Sequence, residues 1–372
     1  MKLLRVKASN FKNFQNDTTI DFVSKSKKTL EDKEYELQKI DEDLYVYNTA
    51  AFVGKNASGK TTALELLDCC YSILGDFRLE NKHYEYDGID LDIIFYFEGF
   101  IYRYTTTLQS GTSLGNKAIF TNQHIYSKPY YKTKIKEIYD SQDFCELSDF
   151  GQLPEDTSNV FFVLKKKTTA SMYFDSAGIG DETYSFLFKA LKTYNIDQNI
   201  LANIICIFDE NIMNLHKLDD HNYKIIYRDS EKVMSDTQLF YVLSSGTTKG
   251  VLLYTMVVAS LYHGFDLLVD EVENHFHKTL VENMLSLYKD KTVNKKNASL
   301  IFTTHYCELL DVFNRQDNIW VCKAEDKVAV YNMYECFNKR SELLKSRQFY
   351  NNAFQTSVNY EKLMDLKRKL MK

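Results

Sequence analysis

The stretch AFVGKNASGKTTALELL, from Ala51 to Leu67, constrains the fold more than any other part of the chain. Its middle, Gly54 to Thr61, matches the pattern G-x-x-x-x-G-K-[ST], with an apolar segment before it and an amphipathic one after it. A strand, a glycine-rich turn and a helix in that order present backbone N–H groups and the positive end of a helix to a phosphate. The stretch therefore predicts a phosphate-binding loop (P-loop) for a nucleotide.

Two segments supply side chains that a nucleotide-hydrolysing site needs. In the P-loop, Lys60 would reach the β and γ oxygens of the nucleotide, and the Thr61 hydroxyl would coordinate Mg²⁺. The later segment FDLLVDE is an apolar strand that ends in Asp270 and Glu271. Asp270 would hold the Mg²⁺, directly or through water, and Glu271 would orient and deprotonate the attacking water.

A third strand, ASLIFTTH, ends in His305. We expect this strand to lie beside the one that precedes the P-loop, which would place His305 near the γ-phosphate. The alternative is a strand-end histidine that bonds a backbone carbonyl.

The segment LSSGTTKG, from Leu243 to Gly250, places a Ser-Ser-Gly turn before a long apolar helix. Hydroxyl and N–H groups at a helix N-terminus form an anion site, although an ordinary N-cap has the same pattern. One polypeptide cannot easily bring this turn to the phosphates of its own P-loop. We therefore expect a second copy of the chain to supply it.

The remaining pattern predicts strands before helices. KLLRVKASNFKNFQNDTTIDF alternates like a β-hairpin or a β-meander, and Leu91–Phe97 with Phe100–Thr107 predicts a further hairpin with Glu98-Gly99 at its turn. YVYNTAAFVG predicts one buried strand. The charged segment from Ser24 to Asp43 predicts an exposed loop or a short solvated helix.

From FYVLSSGTTKG onward, strands alternate with helices, which indicates a mainly parallel sheet. The predicted fold class is α/β: a P-loop nucleotide-binding fold with a mixed, mainly parallel sheet, an N-terminal antiparallel β part and a helical insertion. The predicted parts are an N-terminal half with the P-loop (1–125), a mainly helical insertion (126–235), a C-terminal half (236–335) and a C-terminal helical tail (336–372).

Composition narrows the class of protein. A formal net charge of −5 gives no global attraction to nucleic acid, although 46 Lys and Arg residues leave room for a local basic face. The seven cysteines lack the spacing of a metal site, and no apolar leader precedes them, so we expect reduced thiols and a cytoplasmic protein. The apolar runs LANIICIF and VLLYTMVVASLY are shorter than the ~20 residues that cross a bilayer, so we expect no membrane span.

The order of NFKNF, GKNASGKT, LSSGT, LLVDE and TTH resembles an ABC-type ATPase head of the kind found in RecF, SMC proteins and the overcoming-lysogenization-defect (OLD) nucleases. It is most similar to the stand-alone, AAA-labelled ATPases related to the abortive-infection protein AbiLi. In that family the motifs are typically YGxNASGKSN, LSSGT and DEIENGLHP; here they are VGKNASGKTT, LSSGTTKG and DEVENHFHK. The matches cover both ends of the chain, roughly 1–70 and 240–310.

The resemblance implies an ATPase with ATP and Mg²⁺. It implies Mg²⁺ at Thr61 and Asp270, a catalytic base at Glu271 and a switch histidine at His305. The residues at the ATP phosphates would be Gly54, Asn56, Ser58, Gly59, Lys60, Thr61 and Thr62. Those that clasp the γ-phosphate of the ATP on the partner subunit would be Ser244, Ser245 and Gly246, and those in the loop that meets this subunit would be Glu273, Asn274 and His277.

The chain also departs from the family pattern. His275 replaces the usual small residue and Lys278 the usual proline, both in the loop that would meet the other subunit. The glutamine that such heads place between their halves stays open among Gln109, Gln123 and Gln152. A metal cluster of Glu273, His275 and His277 is an alternative role for that loop.

The resulting hypothesis is an ATPase that forms a homodimer or higher homo-oligomer around ATP and acts as a sensor or switch. The 67 residues after His305 show neither the acidic constellation of a TOPRIM nuclease nor the His/Asn pattern of a toxin RNase. We therefore expect a separately encoded effector and, from the resemblance, a role in bacterial defence against phage. The alternatives are a RecF-type DNA-repair clamp, which would bind nucleic acid, a transporter ATPase subunit and a stand-alone nuclease.

Overall fold

The computed structural model describes residues 1–111, 116–148, 150–175, 182–274, 276–336, 344–350 and 360–371. The strands are β1 (Lys2–Ser9), β2 (Thr18–Asp21), β3 (Leu37–Asp41), β4 (Leu44–Tyr47), β5 (Thr49–Val53), β6 (Ile89–Phe97), β7 (Phe100–Ser110), β8 (Ala118–Pro129), β9 (Cys145–Glu146), β10 (Ser171–Phe174), β11 (Ile212–Lys217), β12 (Asn222–Tyr227), β13 (Glu231–Ser235), β14 (Asp266–Val269), β15 (Leu300–Thr304), β16 (Ile319–Ala324) and β17 (Val328–Asn332). The α-helices are α1 (Lys60–Gly75), α2 (Phe161–Leu164), α3 (Thr183–Thr193), α4 (Gln198–Phe208), α5 (Asp236–Val242), α6 (Ser245–His263), α7 (Lys278–Lys289), α8 (Met333–Cys336), α9 (Lys345–Tyr350) and α10 (Tyr360–Leu370).

Two six-stranded sheets organise the described chain. The first is antiparallel throughout, in the order β2-β1-β6-β7-β8-β9. The second, the central sheet, has the order β10-β14-β15-β5-β16-β17 and is parallel except for the pair β16–β17. The fold is therefore mixed α/β with an N-terminal antiparallel sheet and a mostly parallel sheet, which confirms the coarse prediction.

Each parallel strand of the central sheet faces two different cores. In β5, Ala50 and Phe52 pack in a core shared with α1 and the antiparallel sheet, whereas Ala51 and Val53 pack against α6 and the lobe of α3 and α4. Burial on both faces explains why these strands are apolar at nearly every position. The helix predicted after the P-loop is α1, a 16-residue helix with 11 buried residues.

Both predicted hairpins are present. Strands β1 and β2 pair antiparallel, and β6 pairs with β7 through Phe97 and Phe100. Glu98 and Gly99 form the turn with φ of 48° and 84°, the left-handed conformation that a two-residue hairpin turn requires.

The prediction of an exposed loop or a short solvated helix from Ser24 to Asp43 holds for residues 29–31, which are exposed, but it is wrong for the strand that follows. Strand β3 pairs with β4, and Leu37 is fully buried. Glu36 is only 1% exposed and forms an ion pair with Lys289 at 2.7 Å, while Gln38 donates to the carbonyl of Ala298 at 2.6 Å. The polar residues are buried because their partners come from the far end of the chain, which the local composition does not reveal.

YVYNTAAFVG does not form one strand. It divides at Asn48, whose N–H donates to the carbonyl of Glu36 at 3.0 Å and whose side chain donates to that of Tyr35 at 2.8 Å. Tyr47 pairs with Leu37 in the two-stranded sheet, whereas Thr49 pairs with Leu300 in the central sheet. The continuous apolar pattern arises because both strands are buried.

The lobe predicted as mainly helical over 126–235 is a mixture of helix and strand. It contains α3 and α4, but β10 joins the central sheet and β11, β12 and β13 form a sheet of their own. Strand β8 also crosses the predicted boundary at residue 125. The hairpin β11–β12 closes at Asp219, whose carboxylate accepts the N–H groups of His221 and Asn222. The tail predicted as helical contains α9 and α10 among its described residues.

Candidate functional site

One edge of the central sheet brings three of the sequence motifs together. Strands β5, β14 and β15 are parallel, so their carboxyl ends lie at the same edge, where α/β proteins bind ligands. The P-loop follows β5, Asp270 follows β14 and His305 follows β15. The expectation that the strand of His305 lies beside the strand of the P-loop is confirmed, with Thr304 opposite Val53.

The P-loop backbone is shaped by close approaches that only glycine permits. A Cβ atom on Gly54 would lie 2.4 Å from Ser58 Oγ and 2.5 Å from the carbonyl oxygen of Cys322. Gly59 has φ of 90°, and a Cβ there would lie 2.4 Å from Val328 Cγ1. The turn is thus held between β5 and β16–β17, where the backbone has little freedom to move.

The same turn leaves polar groups unpaired. Ser58 Oγ is buried and has no hydrogen-bond partner among the residues that the structure describes, and the start of α1 has no side-chain N-cap hydrogen bond there. Unsatisfied N–H groups at a helix start, together with a buried hydroxyl, are the groups that a phosphate satisfies. Asn56 and Thr61 are exposed and Thr62 is half-buried, so the turn opens to solvent on this side. These features fit a bound nucleotide.

Lys60 is buried at the centre of the site. Its Nζ lies 3.1 Å from the carbonyl oxygen of Gly54, 3.2 Å from that of Lys55 and 3.3 Å from His305 Nδ1. Burial lowers the pKa of Lys60, and the carboxylates of the 270–273 turn oppose this shift. The two carbonyl oxygens are neutral and compensate the buried charge of Lys60 only in part. Phosphate oxygens at this position would be an anionic partner for the lysine.

Thr61 and Asp270 meet as the sequence predicts for a Mg²⁺ site. Thr61 Oγ1 donates to Asp270 Oδ2 at 2.8 Å, and Asp270 Oδ1 accepts from Thr303 Oγ1 at 2.5 Å. A hydroxyl and a carboxylate are oxygen donors of the kind that Mg²⁺ prefers, so these residues fit the ion. The role of Thr303, which orients Asp270 from the neighbouring strand, was not predicted.

Glu271 and His305 face each other. Glu271 has φ of 48°, a conformation that a glutamate adopts only when its surroundings enforce it, and its N–H donates to Thr303 Oγ1 at 2.7 Å. Its Oε1 lies 3.3 Å from His305 Nε2, and its Oε2 accepts from Asn274 Nδ2 at 3.2 Å. The exposed carboxylate is thus held at the site and open to solvent.

The residues that the resemblance places in the loop after Glu271 differ in exposure. Glu273 is buried in its own chain, and its carboxylate accepts the N–H of His305. Asn274 is half-buried and His277 is exposed at the start of α7. His275 lies outside the described residues, and the described part of the chain contains no group of three or more His, Cys, Asp or Glu that could hold a metal ion.

The Ser-Ser-Gly turn is not joined to the P-loop within the described chain by any hydrogen bond. Ser244 is the N-cap of α6, where its Oγ accepts the N–H of Thr247 at 3.0 Å. Ser244 and Ser245 are both exposed, and Gly246 is half-buried. The turn therefore acts as a helix cap whose outer surface remains free.

The three candidates for the glutamine between the two halves do not lie on the strands that carry the P-loop, Asp270 or His305. Gln109 is on β7 and Gln123 on β8, both in the antiparallel sheet, and Gln152 lies in the segment between β9 and α2.

Sequence reasoning missed β10, the edge strand beside β14, whose last residue, Phe174, accepts the N–H of Asp270 at 3.1 Å. Its short apolar run SMYF carries no turn or motif that marks it as part of this sheet.

In the described residues, no single helix is long and apolar enough to cross a membrane, and only α5 and α6 together, bent by 115°, meet criteria of length and composition.

No protein-family model matches the chain, and no curated protein matches it. Among solved structures, one match is described as the Smc head bound to the C-winged helix domain of ScpA. It has a TM-score of 0.43 and 12% identity, and it covers 90% of this chain and 98% of that chain. These values do not identify a family.

Proposed function

We propose that the chain binds ATP with Mg²⁺ and hydrolyses it to ADP and phosphate. The observation that carries this proposal is the convergence at one sheet edge of Lys60, the Thr61–Asp270 pair and the Glu271–His305 pair. Three separate segments of the chain supply these groups. Each has the residue type that phosphoryl transfer to water requires.

The phosphates would contact the P-loop, with the residues Gly54, Asn56, Ser58, Gly59, Lys60, Thr61 and Thr62. Lys60 would neutralise charge on the β and γ oxygens, Glu271 would accept a proton from the attacking water, and His305 would hold that carboxylate in place. Mg²⁺, held by Thr61 and Asp270, would supply charge neutralisation at the transferred phosphoryl group.

We infer further that hydrolysis needs two copies of the chain. Ser244, Ser245 and Gly246 would meet the γ-phosphate on the P-loop of the partner copy. The exposure of both serines, and the lack of a hydrogen bond to the P-loop of the same described chain, support this arrangement. The dimer, or a higher oligomer, would form around ATP and open after hydrolysis.

The output of this cycle would be a switch that controls a separately encoded effector in bacterial defence against phage. The support for this last step is the motif resemblance to AbiLi-like ATPases, since VGKNASGKTT, LSSGTTKG and DEVENHFHK occur in the family order.

The test compares wild type with Glu271→Gln. Mass by light scattering is measured with and without ATP and Mg²⁺, alongside phosphate release. We expect the variant to bind ATP, to stop releasing phosphate and to accumulate as a dimer, because it cannot remove the γ-phosphate that joins the two copies.

Phosphate release that is unchanged in Glu271→Gln would contradict the catalytic assignment. ATP binding that leaves a monomer unchanged in mass would contradict the assignment of Ser244 to Gly246. A large mass both with and without ATP would show a constitutive oligomer. That result would be compatible with ATP hydrolysis but would contradict assembly that depends on ATP.

A further inference from the structure

The carboxylate of Glu273 is a buried group that the proposed chemistry does not use. The residue is 7% exposed, and its Oε1 accepts the backbone N–H of His305. Within the described part of the chain, its Oε2 is buried without a hydrogen-bond partner. Burial of a carboxylate oxygen without a partner is costly, so the hydrogen bond that Oε1 accepts is the contact that holds this side chain in place.

Glu273 completes a set of contacts between two strand ends. The turn after β14 bonds the end of β15 through the N–H of Glu271 to Thr303 Oγ1 at 2.7 Å and through the N–H of Val272 to the carbonyl of Thr303 at 3.1 Å. The hydrogen bond from His305 to Glu273 runs in the opposite direction. Together these contacts fix the end of β15 and therefore the backbone position of His305, which carries the imidazole.

The imidazole sits between two groups of the site. His305 Nδ1 lies 3.3 Å from Lys60 Nζ, and His305 Nε2 lies 3.3 Å from Glu271 Oε1. Both contacts are at the long end of hydrogen-bond range, so a small shift of the His305 backbone would break one of them. The backbone position of His305 therefore decides whether the ring bridges Lys60 and Glu271.

We propose that Glu273 is a positioning residue: by accepting the N–H of His305 it holds the imidazole between Lys60 and Glu271. The proposal rests on the ATP hydrolysis proposed above. Because Glu273 acts through His305 and not on the nucleotide, its loss lowers kcat and leaves KM and ATP affinity unchanged.

Two conservative variants separate the hydrogen bond from the charge. Glu273→Gln keeps an oxygen acceptor at the same reach and removes the charge, whereas Glu273→Asp keeps the charge and shortens the reach. We expect Glu273→Asp to lower kcat about 10- to 100-fold with KM within about threefold of wild type, and Glu273→Gln to retain most of kcat. In the His305→Ala background, Glu273→Asp should have no further effect on kcat, because the residue through which it acts is gone.

A second measurement does not depend on hydrolysis. Hydrogen exchange of the amide of His305 in the nucleotide-free protein should be faster in Glu273→Asp than in wild type or Glu273→Gln. If wild type releases no phosphate, the proposed function fails, and the exchange rates still report whether Glu273 holds the backbone of His305.

The matched control is Glu36→Asp. Glu36 is 1% exposed, and its Oε1 is bonded to Lys289 and to the N–H of Asn314, whereas its Oε2 is buried without a partner among the described residues. Its carbonyl accepts the N–H of Asn48, at the end of β5 opposite to the P-loop. We expect Glu36→Asp to lower stability without changing kcat of the folded protein. Equal kcat in Glu273→Asp and wild type, or equal losses in Glu273→Gln and Glu273→Asp, would overturn the proposal.

Discussion

Thr303 links the proposed Mg²⁺ ligand Asp270 to the proposed catalytic base Glu271. Its hydroxyl donates to Asp270 Oδ1 at 2.5 Å and accepts the N–H of Glu271 at 2.7 Å. The residue is fully buried, so no solvent replaces either bond. One hydroxyl thus orients the side chain of one acidic residue and the backbone of the next.

We predict that Thr303→Val lowers the rate of phosphate release by about 10- to 100-fold, because Asp270 loses its donor and Glu271 loses the acceptor that holds its left-handed backbone. The free energy of unfolding should fall by about 1–3 kcal/mol, since two buried polar groups lose a partner. Phosphate-release kinetics and chemical denaturation measure the two effects.

The control for this substitution is Thr255→Val. Thr255 is also fully buried, and its hydroxyl donates to the carbonyl of Val251 within α6 at 2.7 Å. This variant should keep the rate of phosphate release of wild type. Similar kinetic losses in both variants would indicate that any buried threonine hydroxyl matters and that Thr303 has no special role.

At the residue scale, the motifs identified side chains whose chemistry is local. The meeting of Lys60, Thr61, Asp270 and His305 follows from motif spacing and from the parallel strands. The contacts of Thr303 and Glu273 could not be predicted, because each depends on the register between β14 and β15. The sequence around a threonine or a glutamate beside a motif does not indicate which groups its side chain bonds.

At the scale of elements, the neighbouring helices α5 and α6 begin with similar serine N-caps but have different proposed roles. Ser244 caps α6 through the N–H of Thr247, and Ser235 caps α5 through the N–H of Gln238 in a capping box. Both side chains satisfy helix N–H groups, which typically contributes about 1 kcal/mol each. Only Ser244 belongs to the turn that we propose to meet the nucleotide of a second copy.

We predict that Ser244→Ala and Ser235→Ala lower the melting temperature to a similar extent, because each removes one N-cap. Only Ser244→Ala should also weaken the ATP-dependent dimer of the Glu271→Gln protein. Thermal denaturation and light scattering measure the two properties. An equal dimer population in both variants would leave Ser244 with a capping role alone.

Sequence periodicity predicted most elements near the motifs, because strands buried on both faces and an amphipathic α1 leave clear patterns. It failed where burial depended on a remote partner. The segment that contains β3 was predicted to be exposed because residues such as Glu36 and Gln38 are polar. Glu36 forms an ion pair with Lys289, however, and Gln38 donates to the carbonyl of Ala298. The division of YVYNTAAFVG at Asn48 likewise depends on contacts from another segment.

At the scale of the whole molecule, a buried ion cluster joins the segment before β3 to the C-terminal half. Arg315, 4% exposed, forms ion pairs with Asp317 at 2.6 Å and Asp32 at 2.9 Å. Asp317 also accepts the N–H groups of Lys25 and Ser26. Although burial alone would raise the pKa of Asp317, the hydrogen bonds and charge of Arg315 and the two N–H groups hold it below its usual value.

A depressed pKa in the folded state means that Asp317 stabilises the fold above the pKa of the unfolded chain and that this contribution disappears as pH falls through the folded pKa. We predict that Asp317→Asn lowers the free energy of unfolding by about 3 kcal/mol at pH 7. Below about pH 4 the stability difference from wild type should shrink.

Urea denaturation over a pH series measures this prediction. The control is Asp326→Asn, since Asp326 is exposed in the turn between β16 and β17 and has no buried partner in the described structure. It should leave stability nearly unchanged. An acid slope that is the same in Asp317→Asn and wild type would show that Asp317 does not contribute to it.

The arrangement of strands in the central sheet also sets an order of events during synthesis. Strand β5 precedes the P-loop, but its two neighbours, β15 and β16, begin roughly 250 and 270 residues after it. At about 5–20 residues per second, the ribosome needs tens of seconds to supply them. Until then, β5 lacks both strands with which it pairs, and the carboxylates at 270 and 271 are either not yet synthesised or not yet in position. If the chain binds ATP as proposed, the nucleotide would stabilise the finished protein only, and the nascent chain must avoid aggregation without it.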